Sequence, residues 1–118
     1  MGPDTDPTPS KTDSSPQPKA FDQAPTLPQV PVRVALGHIV MTPGVRDLIP
    51  APEFLAALAR HARGDWGMVD KHDWKENDLS LREGFRIFSA YETKAGKRFW
   101  IITEADRSST CILLPEEY

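Results

Sequence analysis

The chain contains a single cysteine, Cys111. An internal disulfide is therefore excluded, a reducing compartment is the simplest expectation, and the domain must fold by burial alone. A basic surplus is also missing. Lys and Arg number 14 against 17 Asp and Glu, for a net charge of -3, of which about -2 falls on residues 1–31. A protein that holds nucleic acid through its phosphates needs a cationic face, so direct nucleic-acid binding is disfavoured. No apolar run approaches the roughly 18 residues that cross a bilayer, and the N-terminus lacks the apolar stretch of a signal peptide. The expectation is a cytoplasmic protein without a membrane segment. A Gly-rich phosphate loop, a G-x-S-x-G elbow and a dinucleotide fingerprint are all lacking, which leaves the common nucleotide and acyl-transfer enzymes unsupported and gives no reason to expect a cofactor.

Proline is abundant. Eight of the 12 prolines lie in the first 31 of the 118 residues, a stretch with only six hydrophobic residues against 40 in the remaining 87. Residues 1–31 thus read as a disordered Pro-rich arm whose apolar content cannot offset the entropy of ordering, and residues 32–118 as one small α+β domain. The arm includes Pro25-Thr-Leu-Pro28, a PxxP spacing that a chance match explains in so Pro-rich a stretch.

Within the domain, Val32–Met41 (VRVALGHIVM) reads as a first strand that ends in a turn at Thr42-Pro43-Gly44. Gly37 interrupts it, as at a bulge or a close passage of another backbone. The adjacent His38 has no local partner for catalysis, which favours a structural role. Pro52–Ala62 reads as a helix, with Glu53 near its start, Arg60 and His61 near its end, and an apolar stripe of Phe54, Leu55, Leu58, Ala59 and Ala62. A tight connection, Gly64-Asp65-Trp66-Gly67, leads to a second helix predicted over Lys71–Glu83. Asp70 is its N-cap, Asp73 occupies the capping-box position, Val69 and Trp74 have hydrophobic-staple spacing, and Gly84 lies past the end. Its apolar stripe is poor. Asn77 and Asp78 share the face of Trp74 and Leu81, so the helix is either mostly exposed or places these groups in a buried hydrogen-bond network.

Three strands, Phe85–Glu92, Lys97–Thr103 and Ser109–Leu114, complete an antiparallel meander. The expected fold is a four-stranded, mainly antiparallel sheet with two helices packed on one face. The alternation is unusual. Phe99 and Ile101 oppose Trp100 and Ile102, and Phe85, Ile87 and Tyr91 oppose Phe88 and Ala90, so both faces are apolar while two helices shelter only one. Curling of the sheet, the N-terminal segment, or another chain would have to cover the second face.

Candidate chemistry is sparse. His72 and Glu76 are i, i+4 neighbours near Asp70 and Asp73, but no Cys pair, second His at ligand spacing or H-E-x-x-H motif completes a metal site. The loop Glu104–Ser109 crowds carboxylates, a guanidinium and hydroxyls. It reads either as a connection held by side-chain to backbone bonds or, joined by Asn77, as a polar site built from Glu104, Asp106 and Arg107. Trp66 is either a plug fixing its loop or a partner-binding aromatic.

From about Ala35 onward the chain resembles a family of small bacterial proteins called plasmid-related, sometimes labelled type I restriction-modification subunits. The resemblance lies in Leu36–Gly44 (LGHIVMTPG), Phe54-Leu-Ala, His61–Gly67 (HARGDWG), Asn77 and Leu79–Gly84. It continues through Phe88–Tyr91, Trp100–Ser108 and Leu113–Tyr118, covering roughly the last 85 residues. It implies a bacterial protein associated with plasmids or integrated elements and carries no biochemical activity with it. A methylating subunit would need a cofactor-binding α/β domain far larger than the 87 residues available.

Two functions follow as expectations. The leading one is a non-enzymatic protein-interaction or regulatory module, with a protein partner or a homodimer, that presents Trp66, Trp74, Trp100 and Tyr118. The alternative is a small hydrolase or nuclease-like toxin using Asn77, Glu104, Asp106 and Arg107.

Overall fold

The computed structural model describes residues 31–118; the Pro25–Pro28 spacing and nearly all of the expected arm lie outside them. Four strands form one sheet: β1 (His38–Met41), β2 (Ile87–Glu92), β3 (Arg98–Thr103) and β4 (Ser109–Leu113), in the order β1-β4-β3-β2. The meander pairs antiparallel, whereas β1 runs parallel to β4. Three helices accompany the sheet: α1 (Pro43–Leu48), α2 (Ala51–Ala62) and α3 (Lys71–Glu83). A 3-10 turn at Pro115–Glu117 closes the chain.

Local signals set α3. The Asp70 carboxylate accepts from the Asp73 N–H at 2.8 Å, and Gly84 ends the helix in the left-handed region at φ 80°. The staple residues Val69 and Trp74 pack together with Leu36 and Leu81 around buried Val34, Trp66 and Ile87.

The other end of the domain departs from the expected pattern. Residues 32–37 are not strand. Arg33 and Val34 instead donate their N–H groups to the Ala62 carbonyl at the end of α2, at 2.7 and 3.0 Å. Gly37 has φ +63°, and a Cβ there would collide with the carbonyls of Arg107 and Ser108, so this is a close backbone passage that only glycine permits. The expected turn at Thr42-Pro43-Gly44 is the start of a third helix, α1. Its N-terminus is capped from afar: Glu117 accepts from the Thr42 hydroxyl and, at 2.9 Å, from the Gly44 N–H. No nearby residue announces that cap.

Strand register sorts the side chains cleanly. Ile87, Ser89 and Tyr91 of β2 align with Thr103, Ile101 and Phe99 of β3, and Ile101 and Thr103 with Ile112 and Thr110 of β4. This inner side is buried. Val45 of α1, Ile49 just past its end and Ala57 of α2 pack on Tyr91, Phe99, Ile101 and Ile112, while α3 covers the Ile87 end. Each fully buried side chain of this size contributes about 1.5–3 kcal/mol relative to exposure.

The free edge of β2 is closed. The Asn77 amide donates to the Phe88 carbonyl at 2.5 Å and accepts the Phe88 N–H at 3.1 Å, so a side chain takes the place of a neighbouring strand. One residue pair further on, Met68 donates its N–H to the Ala90 carbonyl at 2.7 Å and Ala90 donates to Trp66. Gly67 permits that approach: its φ is +73°, and a Cβ would run into the Ala90 carbonyl.

Candidate functional site

Between the two apolar clusters of the inner side runs a chain of buried polar groups. His61, on the last turn of α2, is fully buried with its Nδ1 against the Ser89 hydroxyl and its Nε2 2.8 Å from Thr103 Oγ1. Thr103 Oγ1 lies 2.8 Å from Thr110 Oγ1, which donates to the Leu36 carbonyl at 2.7 Å. Hydroxyls carry one proton each, so the terminal acceptor orients every donor in the chain. Thr110 donates to Leu36, Thr103 donates to Thr110, His61 donates through Nε2–H to Thr103, and Ser89 donates to Nδ1. The chain itself fixes the Nε2 proton; burial keeps the imidazole neutral, and a neutral ring leaves Nδ1 to accept from Ser89. Burial, with a smaller contribution from the Arg107 charge, lowers its pKa to about 4. A serine beside a histidine suggests a nucleophile, but Ser89 and His61 are both fully buried and are joined to threonines rather than to a cleft. Their arrangement ties α2, β2, β3, β4 and the approach to β1 together. Nothing near residue 61 in the sequence announces this role; Arg60-His61 reads there as a pair of cations at a helix end.

The expected polar cluster is drawn into holding the backbone. Arg107, at φ 61°, donates to the carbonyls of Phe85, Ser80, Ala105 and Glu104 at 2.6–3.2 Å. Asn77 is buried against the β2 edge, as described above. Asp106 accepts from the Ser108 N–H at 3.0 Å, and its carboxyl is held below the usual range by the Ser108 hydroxyl and N–H. Glu104 faces Arg86 at 3.6 Å. Each of these four groups has a local structural partner, and none of them lines either of the two grooves described here.

The larger groove, about 340 Å³, lies between α2 and the β2–β3 hairpin and is lined by Glu53, Arg60, Tyr91, Lys94 and Phe99 among others. Two of its charged side chains, Arg60 and Glu53, are already engaged. Arg60 makes a two-pronged contact with Asp65 at 2.8 and 3.2 Å while lying over the Tyr91 ring, and Glu53 accepts the Lys94 N–H at 2.8 Å. The smaller groove, about 240 Å³, is lined by Arg33, Asp78, Leu81 and Arg82. Asp78 there accepts from the Trp66 indole at 3.0 Å. His72 and Glu76 are exposed on α3, and no group of three metal-ligating side chains converges among the described residues.

The remaining feature is the outer side of the sheet. Phe88 and Ala90 of β2, Trp100 and Ile102 of β3, and Cys111 and Leu113 of β4 share it by register, and Val40 of β1 extends it. None of them joins the clusters that the helices build on the inner side. Instead aromatic rings tile the surface. Phe88 meets Trp100 edge-on at 5.0 Å between centroids, and Trp100 meets Tyr118 at 5.7 Å. The Arg86 guanidinium lies 5.6 Å from the Tyr118 centroid and donates to its hydroxyl at 2.9 Å. Ile102 and Leu113 are buried, whereas Phe88, Ala90, Trp100 and Cys111 are half-buried and Tyr118 is 71% exposed.

Of the expected interaction residues, Trp100 and Tyr118 lie together on this surface. Trp74 is half-buried in the α3 cluster. Trp66 needs correction as a presented aromatic: it is fully buried, with its indole bonded to Asp78 and its ring edge-on to His61. The two glycines around it let the chain wrap closely enough to bury it.

No family model matches the chain, and no curated protein or solved structure matches it either. No helix among the described residues is long and apolar enough to cross a membrane.

Proposed function

We propose that the chain is a non-enzymatic protein-interaction or regulatory module that receives a protein partner on the outer side of its sheet. One observation carries this reading. The helices all pack on the inner side, leaving an outer surface of Phe88, Ala90, Trp100, Cys111 and Tyr118 that is only partly sheltered. Aromatic rings with a polar tip and an adjacent arginine favour protein interfaces, where the ring is buried and the tip stays bonded. Arg86, Tyr118 and Trp100 form such a group. The engagement of Asn77, Asp106 and Arg107 with the backbone supports a binding role over the hydrolytic one. The resemblance to plasmid-related bacterial proteins adds a setting, that of a cytoplasmic protein of a mobile element.

The test is site-specific photo-crosslinking of the full chain in cells. A benzophenone side chain at Tyr118 is expected to yield a discrete adduct with one protein, and the same group at His72, on the exposed side of α3, none. Substituting Trp100→Asp in the Tyr118-labelled chain should remove the adduct. Equal labelling from both positions, or no adduct from Tyr118, would contradict the proposal.

A further inference from the structure

The two edges of the sheet are treated differently. The β2 edge is closed by Asn77, Gly67 and Met68, whereas β1 carries apolar residues along an edge with no backbone partner among the described residues. Ile39, Val40 and Met41 are 46%, 44% and 40% exposed. Natural sheets usually blunt such an edge with charge, proline or a covering segment, because its free N–H and C=O groups template another strand. Among the described residues β1 has no such device.

The parallel ladder settles which groups are free. His38 donates its N–H to Ser108 and Thr42 donates to Ile112, so residues 38, 40 and 42 face β4. The N–H and C=O groups of Ile39 and Met41 therefore point outward. We infer that β1 pairs antiparallel with β1 of a second copy about a two-fold axis through Val40, joining two sheets into one of eight strands.

Only one centred register suits those outward groups. Ile39 of each copy pairs with Met41 of the other, making four backbone hydrogen bonds, and the two Val40 side chains meet on the axis. Apolar side chains face apolar ones at Ile39, Val40 and Met41. At each end His38 falls opposite Thr42 of the second copy, whose hydroxyl is bonded to the Glu117 carboxylate, so polar groups meet polar groups there. Val40 also adjoins Cys111 on the outer side, so pairing makes the two outer surfaces continuous. The seam is short. Five residues a side bury less than the standard interface of about 800 Å² per partner, so the dimer is expected to be reversible and concentration-dependent.

The edge and the outer surface are separable by variant. Sedimentation of the full chain across a concentration series is expected to show a monomer–dimer equilibrium. Val40→Lys, which opposes like charges on the axis at an exposed site, should weaken it about tenfold or more, while Tyr118→Glu should leave it unchanged. A second measurement reads the register directly. In a Cys111→Ala background, Val40→Cys is expected to form an intermolecular disulfide on mild oxidation, because an antiparallel non-hydrogen-bonded pair has a Cα separation of about 4.5 Å. Ile39→Cys in the same background should not, since residue 39 faces residue 41. A strict monomer at high concentration overturns the inference, as does a monomer whose β1 edge is occupied by residues 1–30 of its own chain, or equal crosslinking at 39 and 40.

Discussion

Acidification should destabilise the protein through His61 in a window that few other groups share. In the folded chain this imidazole is neutral, with a pKa lowered to about 4 from the ordinary 6.5. The unfolded chain takes up a proton below pH 6.5 that the folded chain refuses. Stability from this source is therefore complete above 6.5, falls as the pH drops, and levels off below about 4. At 1.36 kcal/mol per pH unit the whole loss is about 3 kcal/mol, of which about 2 kcal/mol is gone at pH 5. Urea unfolding at pH 7.5 and 5.0 measures it, comparing the native chain with His61→Gln. His38 and His72 are exposed and present in both proteins, so they cancel in the difference. The native chain should lose about 2 kcal/mol more than the variant between those two pH values. Proton NMR of the His61 ring in the intact chain gives a check that does not depend on the variant's folding, since the ring should not titrate until near pH 4. Equal pH slopes in the two proteins, or an imidazole that titrates near 6.5, would refute the proton ordering of the buried chain.

Two further predictions follow from the closed edge of β2. Asn77→Leu keeps the volume but leaves the Phe88 N–H and C=O without partners, and should cost about 2–4 kcal/mol in denaturant unfolding; Asn77→Asp keeps the acceptor but turns a buried carboxylate oxygen toward the Phe88 carbonyl, so it should not recover that loss at neutral pH. Gly67→Ala drives a Cβ into the Ala90 carbonyl at a positive φ, so a loss of about 2 kcal/mol or more is expected from thermal unfolding, with faster exchange of the Met68 and Ala90 amides.

What could be read along the chain was whatever is decided locally. α3 begins and ends at the expected residues because Asp70, Asp73 and Gly84 act within a few positions of one another. The two-sided apolar character of the sheet was legible from alternation in β2 and β3, and the register confirms which residues oppose which. α1 was hidden because Pro43-Gly44 reads as a turn until Glu117, 73 residues away from Gly44, caps it. The first strand is shorter than its composition suggests because Arg33 and Val34 bond to the end of α2 and not to the sheet. His61 was illegible for the same reason, as its partners Ser89 and Thr103 stand 28 and 42 residues off and only the fold assembles them. Trp66 illustrates the intermediate case. Its flanking glycines signalled a tight anchored loop, and the depth of burial that makes it core was settled by Asp78 and His61.

The proposed function is tested most directly by amide hydrogen exchange on the full chain, alone and with the protein captured through Tyr118. Protection confined to β2, β3, β4 and the Pro115–Tyr118 turn, with α2 and α3 unchanged, is the expected result. Protection over the helices with the outer strands unaltered would contradict it.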